Sequence, residues 1–565
     1  MKNHIINNQV SVSDQIQVSD LQELANNGVE ILLCNRPDGE SADQPSLAEL
    51  ASAAKDLGLD VQEISFKSGE MNAGHVDLFK AVLSTGRKLH AFCRTGNRSL
   101  SLYTAAALSA GAEPAELQRI ASATGFDMST VIAAYSSDAS ASVAADATTS
   151  SAKPSYDVVI VGAGSGGIAA AASIRSRNHQ LRIVVIDPAK DHYYQPGWTM
   201  VGGGVFDAPK THRDMQSVIP HGVSWLRHAV VGFKPSVNEV VLDSGQHIHY
   251  KQLVVSPGLV LDWDSIEGLR DTLGKNGVTS NYLYDLAPYT WELVKSLKKG
   301  KALFTQPPMP IKCAGAPQKA MYLSCDHWLK SGVLNSIEVG FANAGGVLFG
   351  VADYVPALQS YVDKYNANLH FNHNLIRVDG EQKVAYFKAS NADGDAEEVA
   401  MEFDMLHVCP PQKAPAFIAE SDLSDAAGWL DVDQYTLRHK QFNNIWGLGD
   451  VMNTPNAKTM AAVRKQVPVV AQNLVDVMAG MEPGWGYDGY GSCPLTVENG
   501  KIVLAEFGYG GKLQPSFPQW LLKGTQPTRA AWILKANLLP TIYWQAMLKG
   551  REWLASPKHL EDVKS

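Results

Sequence analysis

The sequence has 565 residues, which is too many for a single hydrophobic core and predicts several domains. Its net charge of −9 argues against a general nucleic-acid-binding protein, and its six scattered cysteines argue against a disulfide scaffold or a zinc site, so we expect no metal. The N-terminal stretch lacks the apolar core of a signal peptide, and no apolar run reaches the roughly 18 residues of a transmembrane helix.

Residues 1–135 alternate between strand and helix patterns, which predicts a small α/β domain with a mainly parallel sheet. The strand patterns are "GVEILLC" (28–34), "VQEISF" (61–66) and "KLHAFC" (88–93). The helix patterns are 46–58, opened by a Ser cap and closed by Gly58, and 76–85. Cys93 would then lie at the carboxyl end of a strand, where such sheets bind ligands.

The stretch "HAFCRTGNRSL" (90–100) places Cys93 and Arg98 at the two ends of a tight polar loop that leads into a helix. The loop amides, the Arg98 guanidinium and the positive end of the helix can each stabilise a thiolate. We therefore predict a nucleophilic Cys93 rather than an inert buried thiol, which is the commoner fate of a single cysteine.

The spacing is Cys-x4-Arg, whereas protein tyrosine phosphatases carry Cys-x5-Arg, usually with a His before the Cys, where this chain has Phe92. Together with "NRPDGE" (35–40), residues 10–135 resemble a phosphatase-like family whose members are often described as sulfurtransferases. The short loop is also similar to that of single-domain rhodaneses, which hold a persulfide. The resemblance implies sulfur transfer to a small thiol or another acceptor. A phosphatase or a regulatory module is the alternative.

The segment "SSDASASVAADATTSSAKPS" (136–155) contains small and polar residues with almost no core-forming side chain, and predicts a flexible linker. We therefore divide the chain into a front domain (1–135), this linker (136–155), an oxidoreductase (156–514) and a C-terminal tail (515–565).

After the linker, an apolar strand leads into Gly162-x-Gly164-x-x-Gly167, an Ala-rich helix and a second strand that ends at Asp187. In this context the glycines allow a pyrophosphate to approach the helix N-terminus, and Asp187 can bind the ribose hydroxyls. A second pattern, "NIWGLGDVMNTPNAKTMAAVRKQ" (444–466), contains Gly449, Asp450 and a helix that begins near Lys458. It resembles the flavin-binding segment of flavoprotein disulfide reductases. The two patterns together predict Rossmann-like domains of that type, with FAD as the cofactor.

Reductases that use NADH carry a second glycine fingerprint in the middle of the chain. In "SIEVGFANAGGVLFGVADYV" (336–355) a strand is present but the GxGxxG turn is not. We therefore expect that electrons do not come from NADH, which argues against the rival interpretation, a type II NADH:quinone oxidoreductase.

Four segments resemble the sulfide:quinone oxidoreductase family, and the resemblance covers about residues 155–556. They are 192–204, 307–330, 457–466 and 486–512. The resemblance implies that Cys313 and Cys493 form the redox pair beside the flavin. Sulfide would attack their disulfide and leave a persulfide on Cys493 and a thiolate on Cys313, and two electrons would pass through FAD to a quinone. Lys312 and the following helix are expected to favour the thiolate, and Cys325 and Cys409 are expected in the core.

The tail, 515–557, holds four tryptophans and five cations, Lys523, Arg529, Lys535, Lys549 and Arg551, against Glu552 alone. Short helices with Trp and Leu on one side and cations on the other are typical of segments that lie in a membrane interface. We therefore expect a peripheral membrane protein on the cytoplasmic face, with access to quinone. The alternative is that the tail packs on the core or forms the interface of a homo-oligomer.

Overall fold

The computed structural model describes residues 1–41, 44–66, 71, 73–109, 112–128, 131–132, 135, 154–390 and 395–565. The chain divides into two compact units, residues 1–151 and 152–565. The predicted linker lies outside the described residues, except for its last two positions, 154 and 155.

The first unit is a five-stranded sheet between two layers of helices. Its strands are β1 (Asn3–Ile5), β2 (Val10–Ser13), β3 (Ile31–Cys34), β4 (Asp60–Glu63) and β5 (Leu89–Phe92). Its helices are α1 (Leu21–Asn26), α2 (Leu47–Lys55), α3 (Ala73–Ser84), α4 (Asn97–Ser109) and α5 (Pro114–Thr124). The strand order is β1-β2-β5-β3-β4, and only β1 runs antiparallel to its neighbour.

Successive side chains of β5 point to opposite faces of this sheet, which places one helical layer on each side. Ala91 packs in the core formed with α3, α4 and α5, and Phe92 packs in the core formed with α1 and α2. Cys93 follows directly, at the carboxyl edge of the sheet where β5 turns into α4.

The strands of the second unit are β6 (Ser155–Val161), β7 (Ile183–Ile186), β8 (Asp191–Tyr193), β9 (His212–Asp214), β10 (Val223–Leu226), β11 (Val230–Lys234), β12 (Glu239–Leu242), β13 (His247–Val255), β14 (Val260–Leu261), β15 (Val278–Thr279), β16 (Gly300–Gln306), β17 (Ile337–Asn343), β18 (Asn368–Phe371), β19 (His373–Asp379), β20 (Val384–Ser390), β21 (Ala396–Glu402), β22 (Met405–His407), β23 (Gln412–Lys413), β24 (Ile445–Gly447), β25 (Trp485–Gly486), β26 (Gly491–Glu498), β27 (Lys501–Phe507) and β28 (Lys558–His559). Its helices are α6 (Ser165–Arg177), α7 (Trp198–Gly202), α8 (Leu269–Thr272), α9 (Leu286–Ser296), α10 (Ala316–Lys330), α11 (Val355–Tyr365), α12 (Ala416–Ala419), α13 (Met460–Met478), α14 (Arg529–Ile533), α15 (Leu539–Gln545) and α16 (Leu560–Lys564).

Two sheets of Rossmann type organise this unit, as the sequence predicted. The first has the order β10-β7-β6-β13-β12-β11, with β24 also paired to β13, and its central strands are parallel. The second is fully parallel, in the order β15-β22-β16-β17-β18. Since β16, α10 and β17 are consecutive and β16 pairs with β17, they form a βαβ unit of adjacent parallel strands in the second sheet. The predicted α/β class is confirmed.

A hairpin and a helical tail complete the second unit. The hairpin β26–β27 carries Cys493. In the tail, α14 and α15 are joined by one π-helical segment, Leu534–Leu538. Among the helices that the structure describes, none is both long enough and apolar enough to cross a membrane.

Candidate active site

The two cysteines that the resemblance pairs, Cys313 and Cys493, lie beside each other. Cys313 occupies the turn between β16 and α10, Cys493 lies in β26, and their Sγ atoms are 3.8 Å apart although 180 residues separate them in sequence. Cys313 adopts a φ of 52°, a strained conformation that is frequent at functional sites. A Cβ at Gly315 would lie 2.7 Å from the Sγ of Cys493, so the close approach requires glycine there.

A buried lysine makes the two thiols unequal. The Nζ of Lys319 lies 3.0 Å from the Sγ of Cys313 and 4.0 Å from that of Cys493. A hydrogen bond from Cys493 and the ammonium of Lys319 hold the pKa of Cys313 well below its usual range, whereas the bond to Cys313 raises the pKa of Cys493. Cys313 is therefore the thiolate of the pair.

The sequence assigned this electrostatic role to Lys312. Lys312 instead donates from Nζ to the Oε1 of Gln195 at 2.6 Å, and the contact with Cys313 comes from Lys319 in the first turns of α10. A lysine six positions after a cysteine carries no recognisable sequence signal, because the contact depends on how the turn enters the helix.

A second buried cation comes from the tail. Lys535 lies in the π-helical segment, is 3% exposed and donates from Nζ to the carbonyl of Pro196 at 2.8 Å. Burial, and next the neighbouring Lys319, lower the pKa of Lys535 to about 7. The sequence predicted Lys535 as one of the cations on the outer, interfacial side of the tail. The structure corrects this, because the helix turns this lysine toward the cysteines.

The predicted glycine fingerprint forms the turn between β6 and α6. Gly162 has a φ of 97°, and a Cβ there would collide with the carbonyl of Ser256, while a Cβ at Gly167 would collide with the carbonyl of Gly162. Around Gly164, by contrast, nothing lies within 4 Å of the position that a Cβ would take. The turn is thus closed on its inner side and open at Gly164, as a pyrophosphate-binding turn requires.

Asp187 follows β7, and its side chain is hydrogen-bonded to this turn. Its carboxylate accepts the N–H of Ala163 at 2.6 Å and that of Ala189 at 2.8 Å. Each oxygen can accept one further hydrogen bond, so a role on ribose hydroxyls stays a prediction.

The second predicted flavin segment lies at the carboxyl end of β24. Gly449 has a φ of 80°, and its N–H donates to the Oε1 of Gln466. Lys458 donates from Nζ to the carbonyls of Asp450 and Met452, both at 2.7 Å. Burial lowers the pKa of Lys458 to about 8 and raises the pKa of Asp450.

One cavity of about 420 Å³ connects these parts. It is lined by Gly164, by Gly449, Asp450 and Lys458, by Cys313 and Lys319, and by tail residues that include Lys535. Asn281 and Thr199 also line it, and their buried side-chain polar atoms have no hydrogen-bond partner among the described residues. Such groups are satisfied when a polar ligand binds, so the cavity suits a polar ligand that lies between the glycine turn and Cys313.

In the first unit, Cys93 is buried at the carboxyl end of β5, and the N–H of Gly96 donates to its Sγ at 3.2 Å. Gly96 needs its φ of 93° for this turn. The loop therefore provides one described amide contact to the sulfur.

The guanidinium of Arg98 binds a carboxylate and a backbone carbonyl. Its Nη1 and Nη2 donate to the two carboxylate oxygens of Glu40 at 3.0 and 2.6 Å, and Nη1 also donates to the carbonyl of Phe66 at 2.7 Å. Arg36 binds the same carboxylate through Nε at 2.7 Å. The hydrogen bonds from Arg98, and next those from Arg36, hold the pKa of Glu40 below its usual range. The sequence placed Glu40 in "NRPDGE" but did not connect it to Arg98.

Comparison with known proteins separates the two units. Residues 3–112 match the phosphatase-like domain of the beta-lactamase hydrolase-like protein family, and residues 156–287 match the pyridine nucleotide-disulphide oxidoreductase family. The mitochondrial sulfide:quinone oxidoreductase of Dictyostelium discoideum is 39% identical over 411 residues, which cover 72% of this chain and 89% of that protein. The mitochondrial sulfide:quinone oxidoreductase of Mus musculus is 37% identical and is covered to 88%.

The chain belongs to the sulfide:quinone oxidoreductase family. The predicted family is thereby confirmed, and membership implies a flavin cofactor. The crystal structure of the sulfide:quinone oxidoreductase of Aquifex aeolicus superimposes with a TM-score of 0.59 at 17% identity, over 71% of this chain and 92% of that one, which supports the fold.

Within this oxidoreductase fold, the cysteine turn occupies the place of the second nucleotide fingerprint. In the βαβ unit of β16, α10 and β17, the βα turn is 307–315, not 336–355 as the sequence suggested, and its sequence PPMPIKCAG contains no GxGxxG. The end of β17, where nucleotide-binding folds place a ribose-binding acid, holds Asn343. Its amide donates to the carbonyl of Val347 and accepts the N–H of Gly345, both at 2.9 Å. At these two positions the chain has neither the glycine turn nor the acidic residue of a nucleotide-binding fold.

The tail of this family member packs along the oxidoreductase instead of standing free. Arg464 and Lys465 of α13 donate to the carbonyls of Trp553 and Leu554, and Tyr543 is fully buried. The packing that the sequence analysis held as an alternative is therefore present. Six apolar side chains of the same segment remain exposed, and we refer to them together as the tail surface: Trp520, Leu521, Ile533, Leu538, Trp553 and Leu554.

Proposed function

We propose that this chain oxidises sulfide at the Cys313–Cys493 pair and delivers two electrons through FAD to a membrane quinone, while Cys93 of the front domain receives or transfers the sulfur. The observation that carries the first part is the 3.8 Å approach of the two Sγ atoms, since Cys313 lines the same cavity as the glycine fingerprint. The sulfide and quinone substrates agree with the names of the curated relatives.

In the first step hydrosulfide attacks the Sγ of Cys493 in the disulfide. A sulfur–sulfur bond forms to the incoming atom, the Cys313–Cys493 bond breaks, and its electron pair stays on Cys313 as the thiolate. Lys319 stabilises that thiolate because its ammonium is closer to Cys313 than to Cys493. Lys535 adds positive charge near the same sulfur atoms when it is protonated, below its pKa of about 7.

An acceptor thiolate then removes the outer sulfur of the Cys493 persulfide, and the Cys493 thiolate is released. The disulfide re-forms when the two thiolates together lose two electrons. FAD, when bound, supplies the two-electron acceptor for this step and the link to quinone. The residues that would hold it are Gly162, Gly164, Gly167 and Asp187 around the pyrophosphate and ribose, and Gly449, Asp450 and Lys458 around the remaining part.

Quinone is an apolar membrane molecule, and the tail surface is suited to meet it. Trp520 is 85% exposed, and Leu554, which is 73% exposed, lines the cavity together with Leu534, Leu539 and Ile542 of the same tail. An amphipathic segment with exposed Trp and Leu near Lys523 and Arg529 binds the headgroup region of a bilayer without spanning it. The tail thus attaches the chain peripherally and forms the apolar mouth of the site.

For the front domain we infer sulfur transfer. Phosphoester hydrolysis by a cysteine requires a nearby acid to protonate the leaving alcohol. In the "NRPDGE" motif, Asp38 accepts the N–H of Leu47 with both oxygens, and the low pKa of Glu40 keeps its carboxylate ionised. A thiolate leaves a persulfide without an acid, so this environment suits sulfur exchange. A phosphatase is the second candidate, because residues 3–112 match a phosphatase-like family.

An anaerobic titration tests the proposal as a whole. Sulfide added to the purified full-length protein should bleach an FAD absorption spectrum within one turnover, and added quinone should restore it. NADH at the same concentration should leave the spectrum unchanged, because the second sheet has no nucleotide-binding turn. Bleaching by NADH but not by sulfide would contradict the assignment.

A further inference from the structure

A chain of hydrogen bonds connects the tail to the glycine fingerprint. The hydroxyl of Tyr543 in α15 lies 2.8 Å from the Oγ of Ser165, the first residue of α6, and 2.6 Å from the Nε2 of His192. The Nδ1 of His192 lies 3.0 Å from the carbonyl oxygen of Ala163. Tyr543 is fully buried and His192 is 2% exposed.

The chemistry of the groups fixes the direction of each bond. Burial lowers the pKa of His192 to about 4, so its ring is neutral at physiological pH. A carbonyl only accepts, so Nδ1 carries the proton toward Ala163 and Nε2 accepts from the Tyr543 hydroxyl. The phenolic oxygen then accepts the hydroxyl hydrogen of Ser165. The donor and the acceptor of each hydrogen bond in this series are therefore defined.

The two ends of this series of hydrogen bonds contact Ala163 and Ser165, the residues on either side of Gly164. Ala163 is held through its carbonyl and Ser165 through its hydroxyl. Gly164, between them, is the fingerprint position with open space around it, and it lines the cavity together with Ser165. The chain therefore fixes the backbone at the point where an anionic ligand meets the amides of α6.

The tail also contacts the C-terminal end of α6. Glu552 accepts from Nη1 and Nη2 of Arg177 at 2.7 and 2.9 Å and from the Oγ of Ser173 at 2.6 Å. A Cβ at Gly550 would lie 2.8 Å from the carbonyl of Ala172, so the two backbones are in close contact. These contacts hold the tail in place independently of the Tyr543 hydroxyl.

We propose that Tyr543, acting through Ser165 and His192, is a positioning residue for the diphosphate of the dinucleotide cofactor, which makes the C-terminal tail a part of the cofactor site. The inference rests on the proposed binding of FAD. Without the phenolic hydroxyl, the Nε2 of His192 loses its donor and Ser165 loses its acceptor, so the turn is free to rearrange.

The test is the affinity of the apoprotein for FAD, measured by quenching of flavin fluorescence, in Tyr543→Phe and in a matched control, Tyr194→Phe. The Tyr194 hydroxyl is buried without a hydrogen-bond partner among the described residues, and its ring lies 4.9 Å from that of Tyr543. We expect the dissociation constant to rise about tenfold or more in Tyr543→Phe, the usual range for a buried unpaired group, and less than about twofold in the control.

Thermal melting of both apoproteins separates positioning from folding. Equal FAD affinities for the two variants would overturn the inference, and so would a Tyr543→Phe variant that melts early yet binds FAD like the wild type at low temperature. Ser165→Ala provides the second variant, and it should weaken FAD binding while the Tyr543–His192 bond stays intact. A wild-type protein that binds no FAD would overturn both the proposed cofactor and this inference. Weakened binding in a variant alone would leave the proposed cofactor standing.

Discussion

The Nζ of Lys319 lies 3.0 Å from the Sγ of Cys313, and this contact distinguishes two thiols that would otherwise share one environment. A cation that lowers one pKa makes that sulfur the better leaving group when the disulfide is attacked. In the proposed reaction, this contact sets the direction of attack and leaves the persulfide on Cys493.

Replacing Lys319 with Met should move the formation of the Cys313 thiolate to higher pH. Loss of a cation at this distance raises a thiol pKa by about 1 to 3 units. Alkylation of the reduced protein by iodoacetamide, followed against pH by peptide mass spectrometry, measures the shift. Lys330→Met, on the same helix but paired with Asp326, is the control. An unchanged alkylation profile would show that Lys319 does not act on Cys313.

Cys313→Ser and Cys493→Ser should each retain the flavin and lose sulfide-dependent quinone reduction by roughly a hundredfold or more, since each removes half of the disulfide. Cys325→Ser is the matched control, because Cys325 is a buried thiol of α10 that lines no part of the cavity. Steady-state rates with sulfide and a short-chain quinone provide the measurement. Wild-type rates in either of the first two variants would refute the pairing.

The buried Lys535 predicts a pH dependence of stability. Its pKa in the folded protein is about 7, below the usual value for lysine, so between pH 7 and about 10 the unfolded chain binds more protons than the folded one. The free energy of unfolding should therefore rise with pH across this window. In the oxidised protein, Lys535→Met should flatten that rise, and exposed Lys549→Met should not. Melting temperatures at several pH values between 7 and 10 check this, and parallel curves for the wild type and Lys535→Met would contradict it.

The tail surface should be separable from the chemistry. A Trp520→Ser/Leu521→Ser variant should lose binding to vesicles that contain anionic lipid, while bleaching of the flavin by sulfide stays at the wild-type rate. High salt should weaken the binding of the unaltered protein, because screened cations contribute to it. Val231→Ser/Val237→Ser replaces two side chains that are both 52% exposed on another face and should bind vesicles normally.

Cutting the chain before Pro515 is a less specific experiment than the Trp520/Leu521 double substitution. The cut also removes Lys535, Tyr543 and part of the cavity wall, so we expect it to impair flavin binding as well as membrane attachment. Equal vesicle binding by the Trp520/Leu521 variant and the wild type would remove the membrane role of this surface.

Cys93→Ser should leave reduction of the flavin by sulfide intact and slow the transfer of sulfur to a small thiol. Mass spectrometry after turnover should show additions of about 32 daltons on the Cys93 peptide of the wild type, one for each sulfur atom carried. The control is Cys34→Ser, since Cys34 is buried in the same unit and donates to the carbonyl of Arg36. An unmodified Cys93 peptide combined with efficient hydrolysis of aryl phosphates would favour the phosphatase.

The sequence predicted those parts of the site that depend on local pattern. The Gly162–Gly167 turn and the Gly449–Asp450 segment each depend on a few consecutive residues, and the structure brings both to one cavity. The Cys313–Cys493 pairing came from resemblance, because no local signal connects residues 180 positions apart.

What the sequence missed depends on contacts between distant segments. Lys535 reads as one more cation on an amphipathic helix, and only the packing of the tail against the cysteines reveals it as buried. Glu40 and Tyr543 are similar cases, since each is defined by a hydrogen bond to a residue far away in sequence. Hydrophobic periodicity reports which face is apolar and carries no information about such pairs.

The turn between β16 and α10 has a consequence for redesign of the enzyme. In a pyridine-nucleotide reductase, the nucleotide binds at this turn of the second sheet. Here the same turn holds Cys313 at the wall of the cavity. Grafting a glycine-rich loop onto 307–315 would therefore delete Cys313 before it could recruit a nucleotide, and Asn343 would still lack the acid for a ribose. The 307–315 turn can therefore hold either Cys313 or a nucleotide-binding loop, but not both.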